Sequence, residues 1–519
     1  MRHHPEHRAG LAPDARAQHL TILPRIPLFP WPRPVSHPAD HHAIEQYDLD
    51  QAVNGLRRRR PELSAGEPTW PWQRWTLFLL LPAFAILAAL ALTQAVFVLA
   101  AILVLPFFCI VAVRSAALWN TVFTTRTPPV AAVDPETEPL LPRYSLLIPL
   151  YDEAAIVPDL VTALGAIDYP HERLEVLLIL EKEDRDTRAA VAAAELLPFM
   201  AVVVVPEGRP RTKPRALNYA LRRATGDVVG VYDAEDLPEP DQLRRAARLL
   251  ASDPAIGCAQ AQLNVLNDQE TWLTRQFAIE YTALFDCLLP ALERLGLPVP
   301  LGGTSNHFPR AVLHEVGGWD PFNVTEDADL GIRLARSGRT VRVLASTTWE
   351  EAPASFGSWL RQRTRWLKGW MQTYLVHMRD PLRTMRDLGW LQFFGLQVLM
   401  GGLVLSALVH PWFYVVAIAE AAYGPLGAPY HHALSSVVTV LGLTNLVLGY
   451  VTGVALGCVA VAGRGRHRLA VSALLMPVYW LLISLAAYRA LFQLAHAPYR
   501  WEKTQHRPRA AFNKSAAAE

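Results

Sequence analysis

Two patterns of apolar residues alternate along the chain, and each predicts a different kind of element. From Thr76 to Trp119 almost no charge interrupts about forty-four residues, enough for a hairpin of two membrane helices with a turn near Thr93 and Gln94. After Tyr374, further apolar stretches at roughly 391–420, 433–462 and 468–495 each exceed one minimal span, with Pro411 and Pro477 as candidate breaks. Five or six spans are expected in all. Between these regions, over residues 143–350, short runs (YSLLIPL, LEVLLIL, AVVVV and DVVGVY) are separated by helix-like segments of about ten to fifteen residues. That is the βαβ pattern of a parallel sheet with both faces covered, a Rossmann-like α/β domain inserted between membrane helices.

The placement of charge orients these elements. Arg57 to Arg60 and Arg74 precede the first apolar hairpin and Arg126 follows it, while its turn is uncharged, so both flanks read as cytosolic. The basic loop Gly463–Arg468 reads the same way, and the stretch Gly424–His432, without Lys, Arg, Asp or Glu, reads as external. Arg500, Lys503, Arg507 and Arg509 also place the tail, residues 498–519, in the cytosol. A single final span cannot satisfy that, so the region 391–497 requires a further hairpin, a re-entrant segment or a partly interfacial helix.

Composition narrows the class. With 519 residues, 51% hydrophobic content and mean hydropathy +0.16, the chain is too apolar for an ordinary soluble enzyme. A formal net charge of +2 gives no case for nucleic acid. Cys109, Cys258, Cys287 and Cys458 are scattered and read as reduced, with neither disulfide nor zinc. Residues 1–70, rich in His, Pro and Arg and containing LPRIPLFPWPRP, read as a flexible cytosolic arm. Its histidines (His3, His4, His7, His41 and His42) lack metal-ligand spacing, and its first 30 residues lack a signal-peptide core. Trp70, Trp72 and Trp75 suit an interfacial aromatic belt.

Ligands of open α/β sheets sit beyond the carboxyl ends of strands, and here those ends are acidic. Tyr151, Asp152 and Glu153 follow the first run; Glu181, Lys182, Glu183 and Asp184 follow the second. In RTKPRALNYAL, Lys213 stands at a helix start with Pro214 in the first turn. DVVGVYDAEDLP delivers Asp233, Glu235 and Asp236 together, a hard-oxygen set suited to Mg2+ or Mn2+. In TEDADLGIRLARSGR, Thr325 is the expected N-cap and Asp327 begins the helix. In FGSWLRQRTRWLKGWMQTYL, Gln362, Arg365, Trp366, Trp359 and Trp370 share little more than a third of the helix circumference. Such a face suits a sugar on indole and a diphosphate on guanidinium, or else a membrane interface. Gly302 and Gly303 would let backbone approach a sugar or simply turn the chain, and His307 reads as a structural polar residue.

TED followed by QRTRW, with Gln362 thirty-five residues after Asp327, resembles the signature of processive family 2 glycosyltransferases such as cellulose, hyaluronan and curdlan synthases. The resemblance implies a GT-A fold over residues 143–350, interface helices over 355–380, and an inverting polymerase that passes its glycan through its own membrane helices. It implies Asp327 as general base, and Gln362, Arg363, Arg365, Trp366 and Glu326 around the diphosphate and acceptor. The nucleobase and ribose would fall to Asp184, with Glu181 as the alternative, because EKEDRDT departs from the family's DDGS-like stretch. Lys213, Leu217, Asn218 and Leu221 resemble the KxxALNxAL stretch that faces the diphosphate. In the DxD motif Asp233 is followed, counting back from Pro238, by Glu235, with Asp236 also a candidate metal ligand. PYRWEKTQHR resembles a PFxWxKTxHG tail, with Arg507 in place of glycine. The implied partners are a UDP-sugar, UDP-glucose first, a growing glycan, the lipid bilayer of the inner membrane and envelope export proteins. A transferase adding one sugar to a lipid, or an inactive receptor or export scaffold, would use the same domain.

Overall fold

The computed structural model describes residues 38–67, 69–123, 141–423, 433–500 and 502. The loop 424–432, Arg126, the histidines before position 38 and the tail motif apart from its first residues and Glu502 lie outside them.

Eight strands form one sheet: β1 Tyr144–Leu150, β2 Leu174–Glu181, β3 Met200–Val205, β4 Val228–Val231, β5 Leu237–Pro238, β6 Ile256–Val265, β7 Asn306–Pro309 and β8 Thr340–Glu350, in the order β3-β2-β1-β4-β7-β6-β8-β5. The first four are parallel, with Tyr144 opposite Leu174 on one side and Val228 on the other. β7 then runs antiparallel to both β4 and β6, and β5 antiparallel to β8. The sheet is therefore mixed where a parallel one was expected. The reason is that GGTSNHFP supplies a four-residue return strand too short to show in the hydrophobic pattern. Both faces are covered. Leu146, Ile148 and Leu178 pack with Val157 and Leu160 on one side, whereas Leu147, Leu177 and Ile179 pack with Leu217 and Ala220 on the other. Alternation of side chains across a strand buried on both faces leaves a continuous apolar run.

The helices that position the site are α1 Pro38–Arg59, α2 Pro71–Leu90, α3 Leu92–Phe123, α4 Arg185–Ala193, α5 Lys213–Leu221, α6 Trp272–Ala283, α7 Glu326–Arg336, α8 Phe356–His377, α9 Pro381–Leu396, α10 Leu403–Tyr423, α11 Ala433–Gly463, α12 His467–Ala473 and α13 Met476–His496. A π-helical segment, Leu284–Leu288, continues α6, and another, Gln397–Gly402, joins α9 to α10. Among the described residues five helical stretches are long and apolar enough to cross a membrane: Pro71–Leu90, Phe97–Phe123, Pro381–Val415, Val440–Gly463 and Met476–His496. The break between α2 and α3 falls at Ala91, just ahead of the expected turn. Small residues let α3 and α11 approach α6 and the segment after it closely, since Ala117 and Ala460 pack on Ala283, Cys287 and Ala291.

The N-terminal region corrects the expectation of an arm reaching to residue 70. From Pro38 it is helical, and Ala52, Val53 and Leu56 are buried along one face. Asp48 pairs with Arg222 at 2.6 Å, and Asn218 Nδ2 donates to Ala52 O at 3.0 Å, which binds α1 to the end of α5. Further on, Ala65 N and Ser64 Oγ donate to buried Asp320, and Arg379 donates to the carbonyls of Pro61, Ser64 and Glu67. Proline-rich composition upstream hid this short amphipathic stripe.

Candidate active site

The carboxyl ends of β1, β2 and β4, the start of α7 and one face of α8 enclose a cavity of about 240 Å³. Tyr151, Glu181, Lys213, Asp233 and Glu235 line one part; Glu326 and Asp327, Gln362, Arg365, Trp366 and Trp370 line another. Tyr281, Leu284, Phe285, Leu289 and Leu301 make an apolar wall.

Lys213 stands at the first turn of α5, where Pro214 leaves no helical donor unsatisfied. Its ammonium pairs with Asp233 Oδ1 and donates to Gly303 O at 2.7 Å. Burial opposes its charge, but the carboxylates of Asp233 and Glu326 outweigh burial and hold its pKa above the ordinary lysine value. Asp236 lies behind this pair, accepting from Thr304 Oγ1 and, at 2.7 Å, from Asp233 N. Its Oδ1 is buried without a hydrogen-bond partner among the described residues. Burial, then the charges of Asp233 and Glu235, push the Asp236 carboxyl well up; burial and the charge of Asp236 do the same to Glu350, which also lines the cavity. An acidic corner with one orphaned carboxylate oxygen fits a hard divalent cation. Among the described residues no trio of His, Cys, Asp or Glu forms a ready metal cage.

At the start of α7, Asp327 Oδ1 accepts from Ala328 N at 2.7 Å. Burial raises the Asp327 pKa, and Lys213 and Arg365 work against that rise. Burial together with the charge of Asp327 lifts Glu326 to about 7. Thr325 occupies the N-cap position, but its side chain caps nothing; Asn323 Oδ1 instead takes the Thr325 N–H at 3.1 Å. Asp329 turns away from the cavity to Arg333 at 2.7 Å and His377 at 3.2 Å. A Cβ on Gly303 would stand 3.1 Å from Asp327 Oδ2, so glycine there lets the backbone pass against the carboxylate.

On α8, Gln362, Arg365, Trp366 and Trp370 reach the cavity, and Gln362 Oε1 is buried without a partner among the described residues. Trp366 stacks on Tyr281 with centroids 5.9 Å apart and an interplanar angle of 16°. Arg363 does not line the cavity. About 100° round the helix from Gln362, it makes a bidentate pair with Glu280 at 3.0 and 2.6 Å, its guanidinium over Phe277 and Trp366. Trp359 also leaves the cavity, donating to Tyr479 OH at 3.0 Å. Asp184 is likewise elsewhere: it caps α4 by accepting from Thr187 N at 3.1 Å and also takes Asp152 N at 2.6 Å. Glu181, which does line the cavity, is paired with buried Arg215, and burial raises its pKa. His307 is buried, hydrogen-bonded to Tyr144 OH at 2.6 Å, and held neutral by a burial-depressed pKa of about 3.

Sequence reasoning missed Glu280, Glu350 and Gly369. A Cβ on Gly369 would fall 2.2 Å from Thr325 Oγ1, so this glycine brings α8 against the start of α7. Glycine inside an otherwise strong helix was the available signal.

Residues 142–369 match the family described as "Glycosyltransferase like family 2". Among curated proteins, the chain is 31% identical over 233 residues to a probable glycosyltransferase, YdaM, of Bacillus subtilis, covering 44% of this chain and 55% of that one. It is 30% identical over 285 residues to a Synechocystis beta-monoglucosyldiacylglycerol synthase, covering 53% of this chain and 58% of the relative. It is 24% identical over 279 residues to a Staphylococcus aureus poly-beta-1,6-N-acetyl-D-glucosamine synthase, covering 54% and 64%. The chain thus spans little more than half the length of the first two relatives. With its mixed sheet, strand-end acids and flanking apolar helices, the segment 142–369 has the GT-A fold of a glycosyltransferase domain, and over that length it is similar to glycosyltransferase family 2.

Proposed function

We propose that the chain is a membrane-embedded, inverting β-glycosyltransferase that takes a sugar from a UDP-sugar, with UDP-glucose the first donor to test, extends a growing glycan and passes it across the inner membrane. The catalytic domain would face the cytoplasm. What carries this reading is one cavity shared by Lys213 and Asp233, the carboxylates Glu326 and Asp327, and the α8 face of Gln362, Arg365, Trp366 and Trp370. Cations at two of its walls, Lys213 and Arg365, both act on Asp327 and suit a diphosphate between them. Trp366 and Trp370 offer stacking faces for an acceptor sugar. Asp327 removes the proton of the attacking hydroxyl, on the side opposite the leaving diphosphate, and a single displacement inverts the anomeric carbon. Asp233 and Glu235, with Asp236 behind them, would hold Mg2+ or Mn2+, which neutralises the charge that develops on the departing diphosphate. Export proteins of the envelope would receive the polymer.

The apolar wall of Leu284, Phe285, Leu289 and Leu301, with the resemblance to a glycolipid synthase, favours a second reading in which one sugar is added to a lipid. One experiment separates them. Purified protein is assayed for nucleoside diphosphate release with a panel of UDP-sugars, with Mg2+, with Mn2+ and after chelation, beside Asp327→Asn, and the products are sized. Long polymer from one donor, lost on chelation and reduced about 10²–10⁴-fold in the variant, supports the synthase. A product with a single added sugar supports the glycolipid reading, and no release with any donor overturns both.

A further inference from the structure

By length and composition α13, Met476–His496, could cross a membrane like the other apolar helices. Its contacts place it differently. We infer that α13 lies in the plane of the membrane on the catalytic domain's side, its exposed apolar stripe seated in the adjoining lipid leaflet, and that only α2, α3, the α9–α10 unit and α11 cross.

Both ends of α13 are fastened to the same side. At its start, Tyr479 OH donates to Glu280 Oε2 at 2.9 Å and accepts from Trp359 Nε1. Just upstream, Gln276 Nε2 donates to Ser472 O at 2.6 Å and Arg466 pairs with Asp268 at 2.8 Å. At its end, Lys368 Nζ reaches Gln493 Oε1 at 3.2 Å and Arg500 O at 2.7 Å, while Gln372 Nε2 donates to Pro498 O at 2.9 Å. Tyr499 OH then donates to Ala65 O at 3.1 Å. These partners advance along α8 as α13 advances, from Trp359 through Lys368 to Gln372, so the two helices run parallel, side by side. α8 is itself held to the domain at both ends, by Arg363 on Glu280 and by His377 on Asp329. A helix of 21 residues is about 31 Å long at 1.5 Å per residue, enough to separate its ends across a bilayer. Here neither end leaves the domain.

Parity of the crossings agrees. α1 is docked on the domain through Asp48 and Arg222, and α2 and α3 return the chain to it. α9–α10 and α11 make a second out-and-back pair, since the loop after α11 is held by Arg464 on Asp286. The chain is therefore on the domain's side before α13, and Tyr499 shows it there afterwards; one crossing would break this.

The two faces of α13 suit an interface. Tyr479, Ala486, Ala487, Ala490 and Gln493 are buried against the protein. Val478, Leu481, Leu485, Tyr488 and Phe492 stand outward at helical spacing, Val478 51% and Phe492 65% exposed. That stripe continues the lipid-facing surface of its neighbours, for Tyr488 OH bonds Leu408 O of α10. The helix is unbroken, which excludes a re-entrant turn, and an apolar stripe on one face is the pattern of a helix lying at a membrane surface.

The test uses the full chain with one epitope tag inserted within 424–432 and another after residue 519, expressed in a bacterial inner membrane. In intact spheroplasts an antibody is expected to reach the first tag and to reach the second only after permeabilisation. Access to the C-terminal tag without permeabilisation would mean that α13 crosses; access to neither would remove the crossings on which the parity rests, and either result overturns the inference. A second measurement compares Leu485→Lys with Leu485→Ala. A lysine on an in-plane helix can reach the headgroups, so equal membrane accumulation is expected. A several-fold deficit of the lysine variant would put position 485 at the bilayer centre and overturn the assignment.

Discussion

Glu326 and Asp327 stand side by side in a buried cavity, and burial raises the pKa of both. The charge of Asp327 adds to the rise of Glu326, which reaches about 7. With Asp327 as the proposed base, which must be ionised to accept a proton, the acid limb of kcat/KM is expected above the ordinary carboxylate range. The effect on stability has the opposite sign. A carboxyl whose folded pKa exceeds its unfolded value of 4.5 binds its proton more tightly when folded, so stability falls as pH rises from about 4.5 through 7. Glu326→Gln removes that loss. Its Tm should exceed that of the parent at pH 8 and approach it at pH 5, as read by thermal unfolding in detergent. Gly303→Ala tests the neighbouring backbone: a methyl 3.1 Å from Asp327 Oδ2 must displace the carboxylate. About tenfold slower turnover is expected with Tm little changed. At this scale, sequence spacing named most side chains that share the cavity. It misplaced Asp184 because three acids, Glu183, Asp184 and Asp186, follow β2 and the one three residues before Thr187 is used as a helix cap. It misplaced Arg363 because a motif string does not say which neighbour, here Glu280, waits just off the arc.

Among elements, the contact of α8 with the start of α7 sets where the Gln362 and Trp366 face meets Asp327. Gly369 makes that contact possible, and two tendencies oppose each other there. Alanine would favour the helix by roughly 1 kcal/mol, but its Cβ would fall within 2.2 Å of Thr325 Oγ1 and 2.7 Å of Thr325 Cβ. Overpacking of that kind costs about 1–3 kcal/mol, and two helix backbones cannot yield like the end of a flexible side chain. Gly369→Ala is therefore expected to lower Tm and turnover together. Adding Thr325→Gly should recover much of both, since the Thr325 side chain caps nothing and glycine is tolerated at an N-cap. If the double variant is no better than the single, the close approach is not what the glycine serves. The long strands and helices were legible because burial on two faces or one writes a strong period into the sequence. β5, with two residues, β7, with four, and the π-helical segment Leu284–Leu288 were not, because each owes its conformation to partners far along the chain.

On the scale of the whole molecule, the catalytic domain and the apolar helices are joined by ion pairs as well as by packing. The principal clasp is Arg464, in the loop after α11, which holds Asp286 at 2.5 and 2.7 Å and donates to Thr347 Oγ1 at 2.9 Å. In the sequence this arginine reads only as a topology signal, one of several basic residues facing the cytosol. In the structure its charge is spent on the domain, and Asp286 belongs to the π-helical segment whose Leu284 and Phe285 form the apolar wall of the cavity. Both partners are largely shielded, with side chains 15% and 10% exposed. Removing one leaves the other buried without its counter-charge, which costs up to about 3–5 kcal/mol, whereas replacing both with neutral polar groups removes the desolvation penalty along with the attraction. Arg464→Gln alone is thus expected to lower Tm clearly and, by loosening the Leu284–Leu288 wall, to raise the acceptor KM more than the donor KM. Arg464→Gln with Asp286→Asn should regain most of the Tm, because an amide pair can keep a hydrogen bond without burying charge. A wall still loose in that double variant would show up as an acceptor KM that stays high after the Tm has recovered. That outcome would separate the orientation given by a bidentate guanidinium from simple charge neutralisation.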